Sequence, residues 1–261
     1  MSAELWALLG AGVLWAGALA ASLSGRARAW AGWLPAGLAA TGSLCSLSGL
    51  AARGLAVQYW PITDRFAFAH AFALAAALTA LVLDPRGRHR VLGLGLGLAL
   101  ALWAYAQWVL PANVRQASLP VPALRHYWLP LHAGSAAMAY GALALGSLGA
   151  LLAARGGDRT AETLARRAVR WGYWWLSASI LLGAVWARQT WARYWGWDPK
   201  ETWSLVTWLL YSAWFHTAGL PAWRGRRQRA LLALGLAALA FTFWGVDWLT
   251  RRVGLSSLHL F

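Results

Sequence analysis

The sequence is almost without sulfur chemistry of its own. Of its 261 residues, one is a cysteine, Cys45, and two are methionines, Met1 and Met138. A single cysteine excludes an intrachain disulfide framework, a CxxC thiol-redox centre and a covalent CxxCH haem site within this chain. The shortage of methionine argues against a metal centre that depends on a thioether ligand.

Acidic residues are also scarce, and the charge balance is strongly basic. Eight Asp and Glu residues face 23 Lys and Arg residues, which gives a formal net charge of +15. The basic residues punctuate long apolar segments and do not line one face of a soluble unit, so we predict no nucleic-acid partner. A basic rim against anionic lipid is the simpler interpretation of this distribution.

Long apolar runs dominate the sequence, with 60% hydrophobic and 12% charged residues. Each run approaches the ~20 residues that a helix needs to cross a bilayer. We therefore predict an all-α polytopic integral membrane protein, with residues 1–261 forming one membrane domain. The first run follows no basic segment and is interpreted as a true span, not a cleaved signal peptide. The eight predicted spans are Leu5–Leu23, Trp30–Ala51, Phe66–Leu83, Val91–Leu110, Trp128–Ala153, Trp171–Trp186, Thr202–Leu220 and Ala230–Trp248.

The orientation follows from the basic loops. The loops after the first, third, fifth and seventh spans hold 14 of the 23 Lys and Arg residues, so these loops are predicted to face the cytoplasm. Both termini and a tryptophan-rich loop then face the outside. The basic stretch Arg155–Arg170 is interpreted as a charged connector, with a short amphipathic helix as the alternative.

The tryptophan-rich loop, about residues 186–203, reads WARQTWARYWGWDPKETW. An aromatic belt at the membrane interface accounts for one or two tryptophans per helix end, but not for this density. We therefore expect a platform that stacks a large planar ligand. Its tryptophans are Trp186, Trp191, Trp195, Trp197 and Trp203.

The polar residues of the same loop allow two interpretations. Asp198, Pro199 and Glu201 form a helix-start signature, so Asp198 can serve as an N-cap without touching a ligand. The basic residues of the loop can pair with carboxylates of a ligand or simply form a solvated rim. These basic residues are Arg188, Arg193 and Lys200.

Histidine is the remaining candidate for a haem iron ligand, since thiolates and thioethers are scarce. The predicted topology places His126, His132 and His259 at the outer face, and His70 about one turn inside its span. His89 lies among arginines of a cytoplasmic loop and is interpreted as solvated.

His216 is separate from these outer histidines. It follows Asp198 by 18 residues, or ~27 Å along a continuous helix, so it cannot share one ligand with the tryptophan loop. A histidine within a span is a functional hypothesis by default, although it can also simply hydrogen-bond.

The run WGWDPKETW resembles the tryptophan-rich WWD signature of the haem-handling proteins of cytochrome c biogenesis. Its DPKETW continuation is most similar to the CcsA (ResC) family, the haem-binding half of a two-component cytochrome c synthase. The resemblance covers roughly Tyr59 to the C-terminus, and further stretches agree in order and spacing. They are YWPITD at 59–64, YWLPLH at 127–132, WFH at 214–216, GVD at 245–247 and LH at 258–259.

The resemblance implies roles for particular histidines. His132 and His259 match the two outer ligands of the haem iron beside the tryptophan platform. His216 matches a second haem site in the membrane, with a further ligand from a CcsB (ResB) partner, whereas His70 and His126 gain no support. The sequence departs from the family pattern at three positions, where Asp64 replaces the usual Asn, Ala67 a frequent Glu and Leu260 a common Ser.

The resemblance also implies a function. The chain would bind haem b (iron protoporphyrin IX), move it and present it at the outer face of the cytoplasmic membrane. There a CxxCH apocytochrome c would receive it covalently, so the chain would be the haem-binding subunit of a holocytochrome c synthase. The expected partners are a CcsB-like membrane subunit, the apocytochrome and thiol-reducing proteins. No residue is nominated as a catalytic acid or base.

Three alternatives remain open. A CcmC-like haem chaperone or exporter subunit would load haem without forming thioethers, but such chains have six spans and lack the DPKET continuation. A membrane cytochrome b would ligate haem between histidines that face each other across spans. A proton-coupled transporter would need buried acids within its spans, whereas all eight acidic residues lie near the ends of predicted spans.

Overall fold

Helices form all the regular secondary structure in the part of the chain that the computed structural model describes, residues 2–24 and 33–254. This confirms the prediction of an all-α protein. Single π-helical turns at Tyr105–Val109 and Phe241–Gly245 extend α4 and join α9 to α10. The helices are α1 Ala3–Leu23, α2 Trp33–Val57, α3 Arg65–Leu83, α4 Val91–Ala104, α5 Ala112–Arg115, α6 Trp128–Gly156, α7 Arg159–Trp191, α8 Pro199–Thr217, α9 Arg226–Ala240 and α10 Val246–Val253.

Six helical segments of the described residues are long and apolar enough to cross a membrane. They are α1, α2, α3, α4 with its π turn, α6, and the continuous run α9–α10. The remaining two long helices, α7 with 33 residues and α8 with 19, coincide with predicted spans but contain more charged and aromatic residues. The chain is therefore a multi-helix membrane protein, and the count of eight spans stays a prediction.

The basic stretch Arg155–Arg170 is mostly helical, so its interpretation as a charged connector is wrong. Asp158 caps α7 by accepting a hydrogen bond from the backbone N–H three residues later, at 2.9 Å. Arg166 pairs with Glu162 one turn earlier at 2.8 Å, and Val169 is fully buried. The N-cap and the ion pair stabilise the first turns of α7, and the buried side gives them a surface to pack on.

Close packing between small residues fixes the centre of the bundle. Gly141 of α6 lies so near α3 that an added Cβ atom would be 2.6 Å from the backbone nitrogen of Ala76. Approach of this kind lets helices associate in a membrane, where the hydrophobic effect does not drive them together. α6 therefore holds a fixed position between α3 and α7, and both its neighbours contribute to the site described below.

Several helix ends meet through Arg53, whose side chain is 1% exposed. Its guanidinium donates to Glu4 at 2.7 Å, to Asp64 at 2.8 Å and to the carbonyl oxygen of Arg115 at 3.0 Å. The start of α1, the α2–α3 connection and the end of α5 thus lie at one end of the bundle. The N-termini of α6 and α8 lie at this end too, which we call the pocket end.

We predict that Gly141→Ala lowers the thermal unfolding midpoint of the detergent-solubilised protein. The new methyl group must push α3 and α6 apart, and overpacking of this kind costs about 1–3 kcal/mol. Gly134→Ala in the same helix is the matched control, because nothing lies within 4 Å of its added Cβ. Equal midpoints for the two variants would contradict the close packing of α3 on α6.

Candidate functional site

A pocket opens among the helix ends at the pocket end of the bundle. It contains about 1130 Å³ of space free of protein atoms, part of it open to solvent. Its walls come from five parts of the chain, namely residues 62–68, 129–140, 176–184, 194–204 and 242–243. The pocket therefore includes part of the predicted tryptophan loop, the start of α6 and the end of α7, as well as segments that the sequence did not single out.

His132 lines this pocket from the second turn of α6. Its Nδ1 lies 2.9 Å from the carbonyl oxygen of Ser179 in α7. Because a carbonyl can only accept, Nδ1 must donate, and in the neutral imidazole the unprotonated nitrogen is then Nε2. Metal-binding histidines usually carry this arrangement, in which the second ring nitrogen is oriented by a backbone carbonyl.

Two neighbours hold the ring of His132 in place. The ring stacks on Trp186, with the centroids 5.8 Å apart and the planes 14° from parallel. The ring also lies against Gly183, where an added Cβ would be 2.8 Å from the imidazole Nδ1. Glycine at this position lets the imidazole approach the backbone of α7, so Gly183 is a site residue that the sequence analysis missed.

The tryptophans of the loop do not form one continuous platform. Trp186 is fully buried, donates through Nε1 to the carbonyl oxygen of Ala123 at 3.2 Å, and meets Trp191 edge to face at 4.7 Å. Trp186 contacts the ring of His132, and neither tryptophan lines the pocket. They lie apart from the other three tryptophans because both belong to α7, which continues to Trp191, beyond the end of the predicted span.

The other three tryptophans take three different positions. Trp195 lines the pocket. Trp197 is 69% exposed and meets Trp195 edge to face, with centroids 5.9 Å apart. Trp203 turns away from the pocket and packs on Phe241, with a centroid distance of 4.2 Å. Of the five predicted platform residues, Trp195 is therefore the one whose side chain reaches the pocket.

Asp198 is the N-cap of α8, as the helix-start signature predicts. Its carboxylate accepts from the backbone N–H of Lys200 at 2.8 Å, while Glu201 accepts from the N–H of Asp198 at 3.1 Å, which completes a capping box. Glu201 also accepts from the N–H of Gly196 at 2.8 Å. These hydrogen bonds hold the loop that carries Trp195, so Asp198 and Glu201 determine the conformation of the loop.

The three predicted carboxylate partners separate in the structure. Lys200 lines the pocket. Arg188 and Arg193 are exposed and do not line it. The guanidinium of Arg188 lies over the ring of Tyr194 at 6.0 Å, and that of Arg193 lies across Gly196.

A buried ionic cluster that the sequence analysis did not predict lies beside the pocket. Asp247, with a side chain 1% exposed, pairs with Arg65 and also with Lys200, whose Nζ is 2.9 Å from Oδ1 of Asp247. Arg65 and Lys200 both line the pocket. The cluster joins the first residue of α3, the start of α8 and the start of α10.

Asp64, one of the departures from the family pattern, also lines the pocket. One of its carboxylate oxygens caps α3 by accepting from the N–H of Ala67 at 2.8 Å, and the other pairs with Arg53.

His70, the sixth residue of α3, does not line the pocket. Its side chain is fully buried against Phe66, and its Nε2 lies 3.4 Å from the amide nitrogen of Gln107.

The remaining described histidines lie outside the pocket. His126 is half-buried, and its Nδ1 accepts from the backbone N–H of Trp128 at 3.3 Å. His216 is exposed near the C-terminal end of α8, at the opposite end of the helix from Asp198. His89 follows α3 at that same opposite end, and its backbone N–H donates to Asp84 at 3.1 Å. The second predicted iron ligand, His259, lies outside the described residues.

The residue types around the pocket fit a flat apolar ligand that carries iron and carboxylates, as haem does. Apolar side chains such as Phe68, Leu176 and Ile180 form much of the wall. An oriented imidazole supplies a nitrogen donor, and Arg65 and Lys200 supply positive charge. Among the described residues no group of three or more His, Cys, Asp or Glu side chains could hold a bare metal ion.

Comparison with known sequences agrees with this chemistry. The chain is 35% identical to the cytochrome c biogenesis protein CcsA of Synechococcus sp. (strain CC9902), over 60% of the chain and 64% of that protein. It is 34% identical to the protein of the same name from Chlamydomonas reinhardtii, over 60% of the chain and 48% of that protein. The chain thus spans less than two thirds of the length of these relatives. The sequence profile of the family described as "Cytochrome C assembly protein" matches residues 36–253, and the chain therefore belongs to that family.

Proposed function

We propose that this membrane protein holds haem b through His132 at the pocket end and presents it to an apocytochrome c with a CxxCH motif. The family supports a role in cytochrome c maturation and the handling of haem. The proposal that His132 holds the haem iron rests on the hydrogen bond between His132 Nδ1 and the Ser179 carbonyl. Because Nδ1 donates in this bond, Nε2 of a neutral His132 is unprotonated in the wall of a largely apolar pocket.

The residues of the chain act by binding and positioning. Haem, when bound, supplies the vinyl groups that form thioethers with the two thiols of the CxxCH motif. His132 would hold the iron of the ligand, Trp195 and the apolar wall would exclude water, and the capping box of α8 keeps the loop in place. Holding reactants in a fixed geometry can by itself supply much of a rate enhancement, and no acid or base of this chain is assigned a proton transfer.

His259 is the proposed second iron ligand. α10 ends at Val253, and Asp247 near its start binds Arg65 and Lys200 beside the pocket. His259 is six positions beyond Val253, and a chain of that length reaches about 20 Å when extended. The position of α10 thus allows His259 to reach the pocket.

The proposed topology has eight spans with both termini outside the cytoplasmic membrane. α7 and α8 would be the seventh and eighth spans beside the six apolar segments, since each is long enough to cross the ~30 Å hydrocarbon core. The arginine-rich connections α3–α4, α6–α7 and α8–α9 lie at the end opposite the pocket. If these connections face the cytoplasm, the pocket faces the periplasm or outside.

A CcsB-like membrane subunit is the proposed partner, and thiol-reducing proteins would keep the substrate cysteines reduced. The relatives are longer than this chain, so the complete synthase activity is part of the proposal. His216, exposed at the far end of α8, would contribute to a second haem site whose other ligand comes from the partner.

The alternatives differ in what they transfer. A CcmC-like chaperone would release haem without thioether formation, and a cytochrome b would keep its haem and pass electrons only. The position of His132 at a helix end beside an open pocket favours presentation of haem over electron transfer within a bundle.

We predict that His132→Ala weakens the haem spectrum of the purified chain or changes its spin state, and that it abolishes cytochrome c maturation. Exogenous imidazole should restore both, because it can occupy the vacated ligand position. The measurement is visible absorption of the oxidised and dithionite-reduced protein, with His126→Ala as the control histidine outside the pocket. An unchanged spectrum and normal maturation in His132→Ala would exclude it as the ligand.

We predict that Gly183→Ala changes the iron ligation without removing any ligand atom. The added methyl group would displace the His132 ring, so the bound haem should shift toward a high-spin spectrum and a weaker affinity. Gly134→Ala, two residues from His132 but facing open space, should leave the spectrum as in the wild type. Identical spectra for both variants would mean that the ring does not depend on its contact with Gly183.

We predict that His216→Ala lowers maturation in cells while the pocket haem keeps its spectrum, because this histidine lies at the opposite end of α8. The two readouts are c-type cytochrome yield and haem content per purified chain. Loss of the pocket spectrum in this variant would contradict two separate sites.

A further inference from the structure

Basic side chains form one edge of the pocket, which we call the basic edge. Arg65 and Lys200 both line the pocket, and both pair with the buried carboxylate of Asp247. Arg251 adds a third cation, since its Nε donates to the backbone carbonyl of Asp247 at 3.1 Å. Among these described residues, three basic side chains therefore lie around one buried carboxylate.

The other two carboxylates of the pocket wall, Asp64 and Glu201, make structural bonds of their own. Asp64 pairs with Arg53 and caps α3. Glu201 accepts backbone N–H groups of the loop before α8. Both acids are thus held by structural bonds. Arg65 and Lys200 share the acidic partner Asp247, and Asp198 also acts electrostatically on Lys200.

A second pocket lies on the far side of Arg65 and shares that residue with the first. It contains about 580 Å³ of space free of protein atoms, including open solvent, and is lined by Arg65, Trp244, Trp248, Arg251 and Arg252. Every charged group in this lining is an arginine. A ligand whose body fills the first pocket can therefore extend past Arg65 into an opening whose charged side chains are all arginines.

We infer that Arg65 and Lys200, with Arg251 at the opening, bind the carboxylates of the ligand whose iron His132 would hold. This inference rests on the proposed function and identifies the chemical class recognised at this edge, a porphyrin with free carboxylate side chains. Arg65 offers several N–H donors in a fixed plane that suits a carboxylate, and Lys200 adds a second, more compact charge. The nearly dry surroundings of Asp247 strengthen these interactions.

Two basic residues suggested by the sequence lie too far from the pocket lining to take this role. Arg188 and Arg193 belong to the tryptophan loop, yet both are exposed and neither lines the pocket. Their charges are screened by water and contribute little to binding a ligand inside. Arg65, from a different part of the chain, has the position that they lack.

The test compares two ligands that differ only in their carboxylates. Haemin and iron protoporphyrin IX dimethyl ester are titrated separately into the full-length apoprotein in detergent, and binding is followed by visible absorption. We expect the wild type to bind haemin about ten-fold more tightly or better, the size expected for one charge-assisted hydrogen bond. Both ligands should give the same His132-dependent spectrum, since the iron coordination is unchanged.

Arg65→Gln should reduce this preference toward equal affinity, with the ester still bound as in the wild type. Because this change leaves Asp247 without one of its cations, the pair variant Arg65→Gln with Asp247→Asn keeps the charge balance and should lose the preference as well. Arg125→Gln removes an exposed arginine outside the pocket lining and is the matched control. Arg188→Gln and Arg193→Gln should also retain the preference.

The outcomes separate this inference from the proposed function. If neither ligand binds to the wild type, the proposed haem site itself is wrong. If the wild type binds both ligands with equal affinity, the basic edge does not recognise carboxylates. The same conclusion follows if the Arg188 and Arg193 variants lose the preference for haemin while the Arg65 pair variant keeps it. A preference that disappears with Arg65 and persists in the Arg125 control supports the inference.

Discussion

The buried carboxylate of Asp247 is the constraint around which the pocket end is organised. Its side chain is 1% exposed, and an ionised carboxylate in such surroundings is strongly destabilising unless cations surround it. Arg65 and Lys200 meet this requirement, and they come from the first turns of α3 and α8. The starts of these two helices must therefore converge on α10, which places the loop before α8 against the mouth of the pocket.

A second buried ionic group, centred on Arg53, likewise holds helix ends together near the start of α3. Arg53 satisfies Glu4, Asp64 and two backbone carbonyls, and Asp64 in turn caps α3. Near a bilayer, polar groups that lack partners are costly, so such groups gather where helix ends can supply partners. The consequence is a rigid rim around an apolar pocket. His132 lines that pocket, and its orientation depends on two neighbours in α7, Ser179 and Gly183.

This arrangement suits an amphipathic planar ligand. The apolar wall would take the macrocycle, the imidazole would face the iron, and the basic edge would bind the carboxylates. Each part comes from a different stretch of chain, so the ligand would be oriented by three independent kinds of interaction. Membership of the cytochrome c assembly family gives this geometry a biological setting, the maturation of c-type cytochromes.

Local sequence patterns predicted the local structure well. Within the described residues each predicted span overlaps a helix, and the Asp198-Pro199-Lys200-Glu201 signature forms a capping box. These predictions succeed because hydropathy and capping depend on residues close in sequence. The interpretation of Arg155–Arg170 as a charged connector was wrong, because the N-cap at Asp158 and a buried helix face stabilise a helix there despite its charges. The pairing of Arg65 with Asp247 and the approach of His132 to Gly183 could not be predicted, because such contacts join residues far apart in the chain. The single platform was expected because the tryptophans are neighbours in sequence, but the end of α7 sends them in different directions.

The most direct measurement is an experimental structure of the full-length chain loaded with haem, determined in a lipid nanodisc. The account predicts iron at bonding distance from Nε2 of His132, with Nδ1 still donating to the Ser179 carbonyl and the macrocycle against Trp195. Haem bound elsewhere, or bound in this pocket with its iron ligated by other residues and His132 apart from it, would contradict the account.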